Sequence, residues 1–82
     1  MRIDVEQYVG HGGRPMPSAL HFGGRSVRIV EALDQWFGSD HRYVKVLGQD
    51  GALYILKFDE ARADWELTMF ERGKRQAAPR RA

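Results

Sequence analysis

Three histidines, His11, His21 and His41, are the side chains of this sequence best suited to metal binding or proton transfer. Their spacing fits no ligand motif, and each reads more simply as a surface or loop residue. Asp59, Glu60 and Asp64 have the chemistry of an acid–base pair, but clustered in a polar connection they serve to keep it solvated and to blunt a sheet edge. Nucleophilic catalysis needs an activated hydroxyl or thiol. Ser18, Ser26, Ser39 and Thr68 stand in no elbow-type motif, and there is no cysteine. Gly10-His11-Gly12-Gly13-Arg14 is glycine-rich like a phosphate cradle, yet it lacks both Gly-Lys-Ser/Thr and a following helix. The expectation is a protein that is not an enzyme and carries no cofactor or metal.

With 82 residues, 43% of them hydrophobic and 29% charged, the chain has room for one core, and its apolar residues run from Ile3 to Phe70. Without cysteine no disulfide can staple the fold, which fits a reducing compartment. The opening Met1-Arg2-Ile3-Asp4-Val5-Glu6 has acids where a secretory signal needs an apolar run. The longest apolar stretch is only Ala52-Leu53-Tyr54-Ile55-Leu56. A cytoplasmic protein without a membrane span is therefore expected.

The net charge of +2 hides an asymmetry, because residues 1–70 hold eight bases and ten acids while residues 71–82 hold five bases and one acid. Two regions follow: a β domain over 1–70, and a disordered basic tail over 71–82 that has no large apolar residue to order it.

Alternation of Ile3 and Val5 with charged neighbours predicts a first strand. Three glycines and two prolines in residues 10–17 predict a loop. Gly23-Gly24 predicts a hairpin pairing Leu20 with Val27, His21 with Ser26 and Phe22 with Arg25. Val27 to Phe37 has a helical alternative capped by Ser26 and Gly38, but its β-branched start favours a long strand bulged near Glu31-Ala32. Asp50-Gly51 predicts a second hairpin pairing Leu47 with Tyr54, Lys45 with Leu56 and Tyr43 with Phe58. A four-residue loop would preserve the same faces. After a polar connection over 59–64, with one helical turn as an alternative, Trp65, Leu67 and Met69 mark the last strand. Six strands on short connections predict a small antiparallel barrel or rolled meander.

The predicted 43–58 hairpin is apolar on both sides, with Tyr43, Leu47, Tyr54, Leu56 and Phe58 on one and Val44, Val46, Leu53 and Ile55 on the other. One side must be covered by Trp36-Phe37 or the first strand, or be used by a partner. If used, Tyr43 and Tyr54 beside Lys45, Arg28 and Arg42 make a stacking platform with phosphate contacts. Arg72, Lys74, Arg75, Arg80 and Arg81 would add salt-sensitive attraction. The competing reading is that these aromatics simply complete a small core.

The sequence Phe22-Gly23-Gly24-Arg25, then Val30, Leu33-Asp34, Trp36, Tyr43-Val44-Lys45-Val46, Gly51, Tyr54-Ile55-Leu56, Asp59 and Trp65-Glu66-Leu67 resembles a family of short, uncharacterised bacterial proteins. The resemblance covers about residues 19–70 and implies a bacterial, cytoplasmic, all-β protein. Some members of that family are associated with genes for mutagenic DNA repair, which implies nucleic acid or a polymerase-associated partner. Two functions are thus expected: first, a non-catalytic β module that binds another protein or itself through a strand edge or the spare hairpin face; second, a nucleic-acid-binding barrel.

Overall fold

The computed structural model describes residues 2–71, and the predicted tail lies outside them. Six strands run in chain order: β1 (Arg2–Val9), β2 (Pro15–Phe22), β3 (Arg25–Phe37), β4 (His41–Gly48), β5 (Leu53–Asp59) and β6 (Asp64–Glu71). Each pairs antiparallel with its sequence neighbour, and β6 returns to β1 to close a barrel. Closure rests on two register pairs, Arg2 with Glu66 and Ile3 with Trp65. The last strand extends one residue past the predicted boundary, to Glu71. Among the described residues no helix is long and apolar enough to cross a membrane.

The barrel interior is filled from alternate positions of the strands, as the period of two requires. Ile3, Leu20, Val27, Val44, Val46, Ala52, Tyr54, Leu56, Phe58 and Trp65 form one buried cluster. The first hairpin has the expected register, Leu20 opposite Val27 and Phe22 opposite Arg25. Gly23 and Gly24 adopt the positive φ angles that its two-residue turn needs. His21 and Ser26 fall on the polar side, where His21 bonds both Ser26 Oγ at 2.8 Å and Glu6 Oε2 at 2.7 Å.

The second hairpin departs from expectation. Gly48 and Ala52 close a three-residue loop, Gln49-Asp50-Gly51, with Gly51 at φ 84° and the Gly48 amide donating to the Ala52 carbonyl at 2.9 Å. The observed pairs are Val46 with Tyr54, Val44 with Leu56 and Tyr43 with Lys57. An odd slip turns every β5 side chain to the opposite side relative to β4, so Tyr54, Leu56 and Phe58 join Val44 and Val46 inside. Tyr43, Leu47, Leu53 and Ile55 are half-buried outside. Both sides remain apolar, with their membership exchanged. Trp36 stacks on Tyr43 on the outer wall, centroids 5.6 Å apart and planes within 9°.

Residues 27–37 are strand, bulged on both sides of the predicted position: the ladder to β4 skips Val30 and Leu33. Residues 10–17 are only partly a loop, because β2 begins at Pro15. Prolines fit there because β2 pairs with β3 only from Ala19 onwards, so their missing N–H groups leave no ladder bond unmade on that side. A bulge at Ser18, whose hydroxyl donates to the Glu6 carbonyl at 3.0 Å, accommodates the change of register.

Gly48 is required by space rather than by backbone angle. A Cβ there would stand 2.6 Å from Asp50 Oδ1, 2.7 Å from Val27 Cγ1 and 3.0 Å from Tyr54 Cε1. Gly48→Ala is therefore expected to cost about 1–3 kcal/mol as an overpacked site. A urea titration reads this as a lower midpoint at unchanged slope.

Candidate cleft between the strand tips

The barrel is sealed between β1 and β6 by only two register pairs, and β2 and β3 part beyond Ala19 and Arg28. β1 from Asp4 to Val9 pairs only with β2, and β2 from Pro15 to Ser18 pairs only with β1, so the distal β1–β2 ribbon has two free edges. β3 leaves β2 at Arg28 and continues to Phe37 beside β4 alone. At 3.3 Å per residue its thirteen residues reach about 43 Å, close to the 44 Å long dimension of the molecule. Between these two ribbon tips lies a cleft of about 660 Å³, walled by Tyr8, Gly10, Arg14 and Met16 on one side and Gln35, Phe37 and Arg42 on the other. A second hollow of about 300 Å³ shares Met16 and Gln35 and continues past Ala32, Leu33 and Asp34.

Arg42 forms the floor. It is 1% exposed. Alternation along β4 forces it inward, and its guanidinium lies on the faces of Phe58 and Trp65, 5.5 and 5.7 Å from their centroids. Its Nη2 donates to the Pro15 carbonyl, and Nη1 reaches Met16 Sδ and Gln35 Oε1 at 3.4 Å each. Its Nε is buried without a hydrogen-bond partner. Burial pulls its pKa below the usual arginine value; the nearby Glu60 carboxylate opposes this and the Arg14 charge adds to it. Arg14 stands on the rim with its guanidinium 5.0 Å above the Phe37 ring. Trp65 Nε1 donates to Gln7 Oε1 at 2.8 Å, fastening β6 to the ribbon behind the cleft.

No family model, curated protein or solved structure matches this chain. The site therefore stands on its geometry alone.

The expected stacking platform is not assembled. Tyr54 is wholly buried, between Phe22 and Phe70, and its hydroxyl donates to Asp50 Oδ2 at 2.6 Å. Tyr43 and Lys45 share the outer wall, Arg28 is exposed on β3, and Arg42 lies inside. Arg72, Lys74, Arg75, Arg80 and Arg81 fall outside the described residues. Of the predicted contacts, only Arg42 reaches the cleft. Tyr8, Arg14, Met16, Gln35 and Phe37 were missed. A usable signal was the adjacent pair Trp36-Phe37, since neighbours in a strand face opposite ways and both cannot be buried by one sheet face. Among the described residues no cluster of three metal-ligating side chains is present. His41 Nδ1 instead meets Asp40 Oδ1 at 2.7 Å.

At the opposite end from the cleft, Asp50 ties the β4–β5 loop to the core. Burial pushes its pKa up, but the Tyr54 hydroxyl, the Ala52 amide and the Arg25 guanidinium outweigh burial and hold it below the usual aspartate value. A carboxyl depressed on folding contributes stability above its unfolded pKa and loses it as pH falls through the folded value. The urea midpoint should therefore drop on acidification below about pH 4. Asp50→Asn should remove that part of the slope, and an unchanged slope would contradict the assignment.

Proposed function

We propose that this domain is a non-catalytic module that binds a segment of another protein in the cleft between the two ribbon tips. The observation that carries this reading is the exposure of large apolar side chains around two adjoining hollows: Tyr8 and Phe37, each 54% exposed, line one, and Leu33, 42% exposed, lines the other. Apolar groups gathered around a concavity are an unfinished core that a partner completes.

Recognition here goes through side chains rather than strand addition. The free edge of β2 carries Pro15 and Pro17, and β3 is bulged twice. The Gln35 amide is also taken by Asp34 Oδ1 at 2.8 Å. Each feature blunts an edge against another strand. Self-association by a two-fold contact centred on this cleft would bring the arginines of the two copies close together, which like-charge repulsion opposes. A different protein is the occupant. The resemblance to the short bacterial family adds a polymerase-associated protein to the candidates.

The second reading is nucleic-acid binding, favoured by Arg14 and Arg42 lying in one cleft with Tyr8 and Phe37. Against it, residues 2–71 carry eight bases and eleven acids, so a polyanion meets a net negative body.

In-cell cross-linking with the full chain separates these readings. A partner should be captured by the wild type and by Met69→Ser on the outer wall, and lost in Leu33→Ser/Phe37→Ser. Equal capture by all three overturns the cleft. Single-stranded DNA or RNA that binds at low salt and is released at moderate salt, again dependent on Phe37, supports the second reading instead.

A further inference from the structure

We propose that Arg14 and Arg42 form a subsite for a side-chain carboxylate, so that the segment held in the cleft is an acidic one with an apolar residue close by. The inference rests on the cleft reading and adds the chemistry of the occupant.

The argument begins with the charge on the cleft floor. Buried guanidinium groups are ordinarily paired with an acid, because removing the ion from water is costly without compensation. Among the described residues no carboxylate lies within 4.0 Å of Arg42, and Glu60 acts on it only from farther off; its hydrogen-bond partners are a carbonyl, a thioether and an amide oxygen, the last two at a long 3.4 Å. Its Nε has no partner at all. A second cation, Arg14, stands at the same hollow although like charges repel. With Arg42 1% exposed, an anion supplied from outside meets the exposed Arg14 guanidinium on the rim directly and is further attracted by the Arg42 charge buried beneath it.

A carboxylate fits better than a chain of phosphates. The subsite offers two cations inside a body rich in acids, so one charge is attracted locally and a long polyanion is repelled. The source is a side chain within a segment rather than a chain terminus, because the hollow does not stop at Arg14. A second hollow that shares Met16 and Gln35 adjoins it at Ala32 and Leu33, which leaves room for chain beyond the acid. That continuation is the place for the apolar neighbour, where Met16 can adjust to its shape.

A random decapeptide library displayed internally on phage and selected on the immobilised full chain tests this. Enriched sequences should share an aspartate or glutamate within three positions of a large apolar residue. In a synthetic peptide, replacing that acid by its amide should weaken binding about tenfold, the size of one lost charge-assisted hydrogen bond. Arg14→Gln should weaken it similarly with an unchanged melting curve. Amidating the peptide terminus should have no effect. Enriched sequences without an acid, or acidic ones that bind Arg14→Gln as tightly as wild type, overturn the subsite. A library yielding no binder overturns it as well. The cross-linking comparison decides the cleft itself independently of these results.

Discussion

Tyr54→Ala is expected to remove about 3–5 kcal/mol of stability, the range for truncating a large aromatic in a packed interior. A domain of this size holds on the order of 4–12 kcal/mol in total, so the variant loses a large share of it and its melting temperature should fall steeply. Tyr54 is fully buried and touches Phe22 and Phe70, so the loss is mainly one of packing. Tyr54→Phe keeps the ring and removes only the bond to Asp50, and should cost about 1 kcal/mol. Circular dichroism melts of the two variants resolve these effects. A surface stacking residue would give the opposite pattern: little change on truncation and a loss confined to binding.

Arg42 carries the second large effect, and here stability and function should separate. Arg42→Ala empties the space beneath Pro15 and Met16 and uncovers the faces of Phe58 and Trp65, at a cost of about 2–4 kcal/mol. Arg42→Met refills much of that volume without a buried charge and should be neutral or stabilising by up to about 2 kcal/mol. The same Met variant should bind the acidic peptides at least tenfold more weakly, because the cationic floor is gone. Parallel urea titrations and peptide affinities of the three proteins check this. Equal affinity for wild type and the Met variant would return Arg42 to a purely structural role.

How far the sequence could be read depended on where one residue decides a register. Gly23-Gly24 admits essentially one tight turn, and the first hairpin follows from it pair by pair. Gly48-Gln49-Asp50-Gly51-Ala52 admits loops of two, three or four residues, and the Asp50 side chain selects the middle one by bonding the Ala52 amide and the Tyr54 hydroxyl. That is a tertiary choice, invisible to alternation, because both alternating sets in β4 and β5 are apolar. The two-sided greasiness was therefore legible and its orientation was not.

The cleft was less legible than the barrel. Its residues come from the starts of β2 and β4 and the far ends of β1 and β3, which adjoin only because β3 outruns its partner β2. Pro15 and Pro17 read as loop residues in isolation. They are strand residues on an unpaired edge, and the lack of a neighbouring strand is itself what tolerates them.

The two-pair closure between β1 and β6 also sets the order in which the molecule should come apart. Five of the six seams join strands adjacent in sequence, so they reform quickly, whereas the sixth must bring residue 3 to residue 65. Releasing Arg2 and Ile3 from β6, together with the Trp65–Gln7 and Arg42–Pro15 bonds, would leave the β1–β2 ribbon held chiefly by its short ladder to β3 while the β4–β5 pairing remains intact. Native-state hydrogen exchange should accordingly find β1 and β2 amides opening as one sub-global unit at lower free energy than those of β4 and β5, and an occupant seated between the tips should slow that unit first.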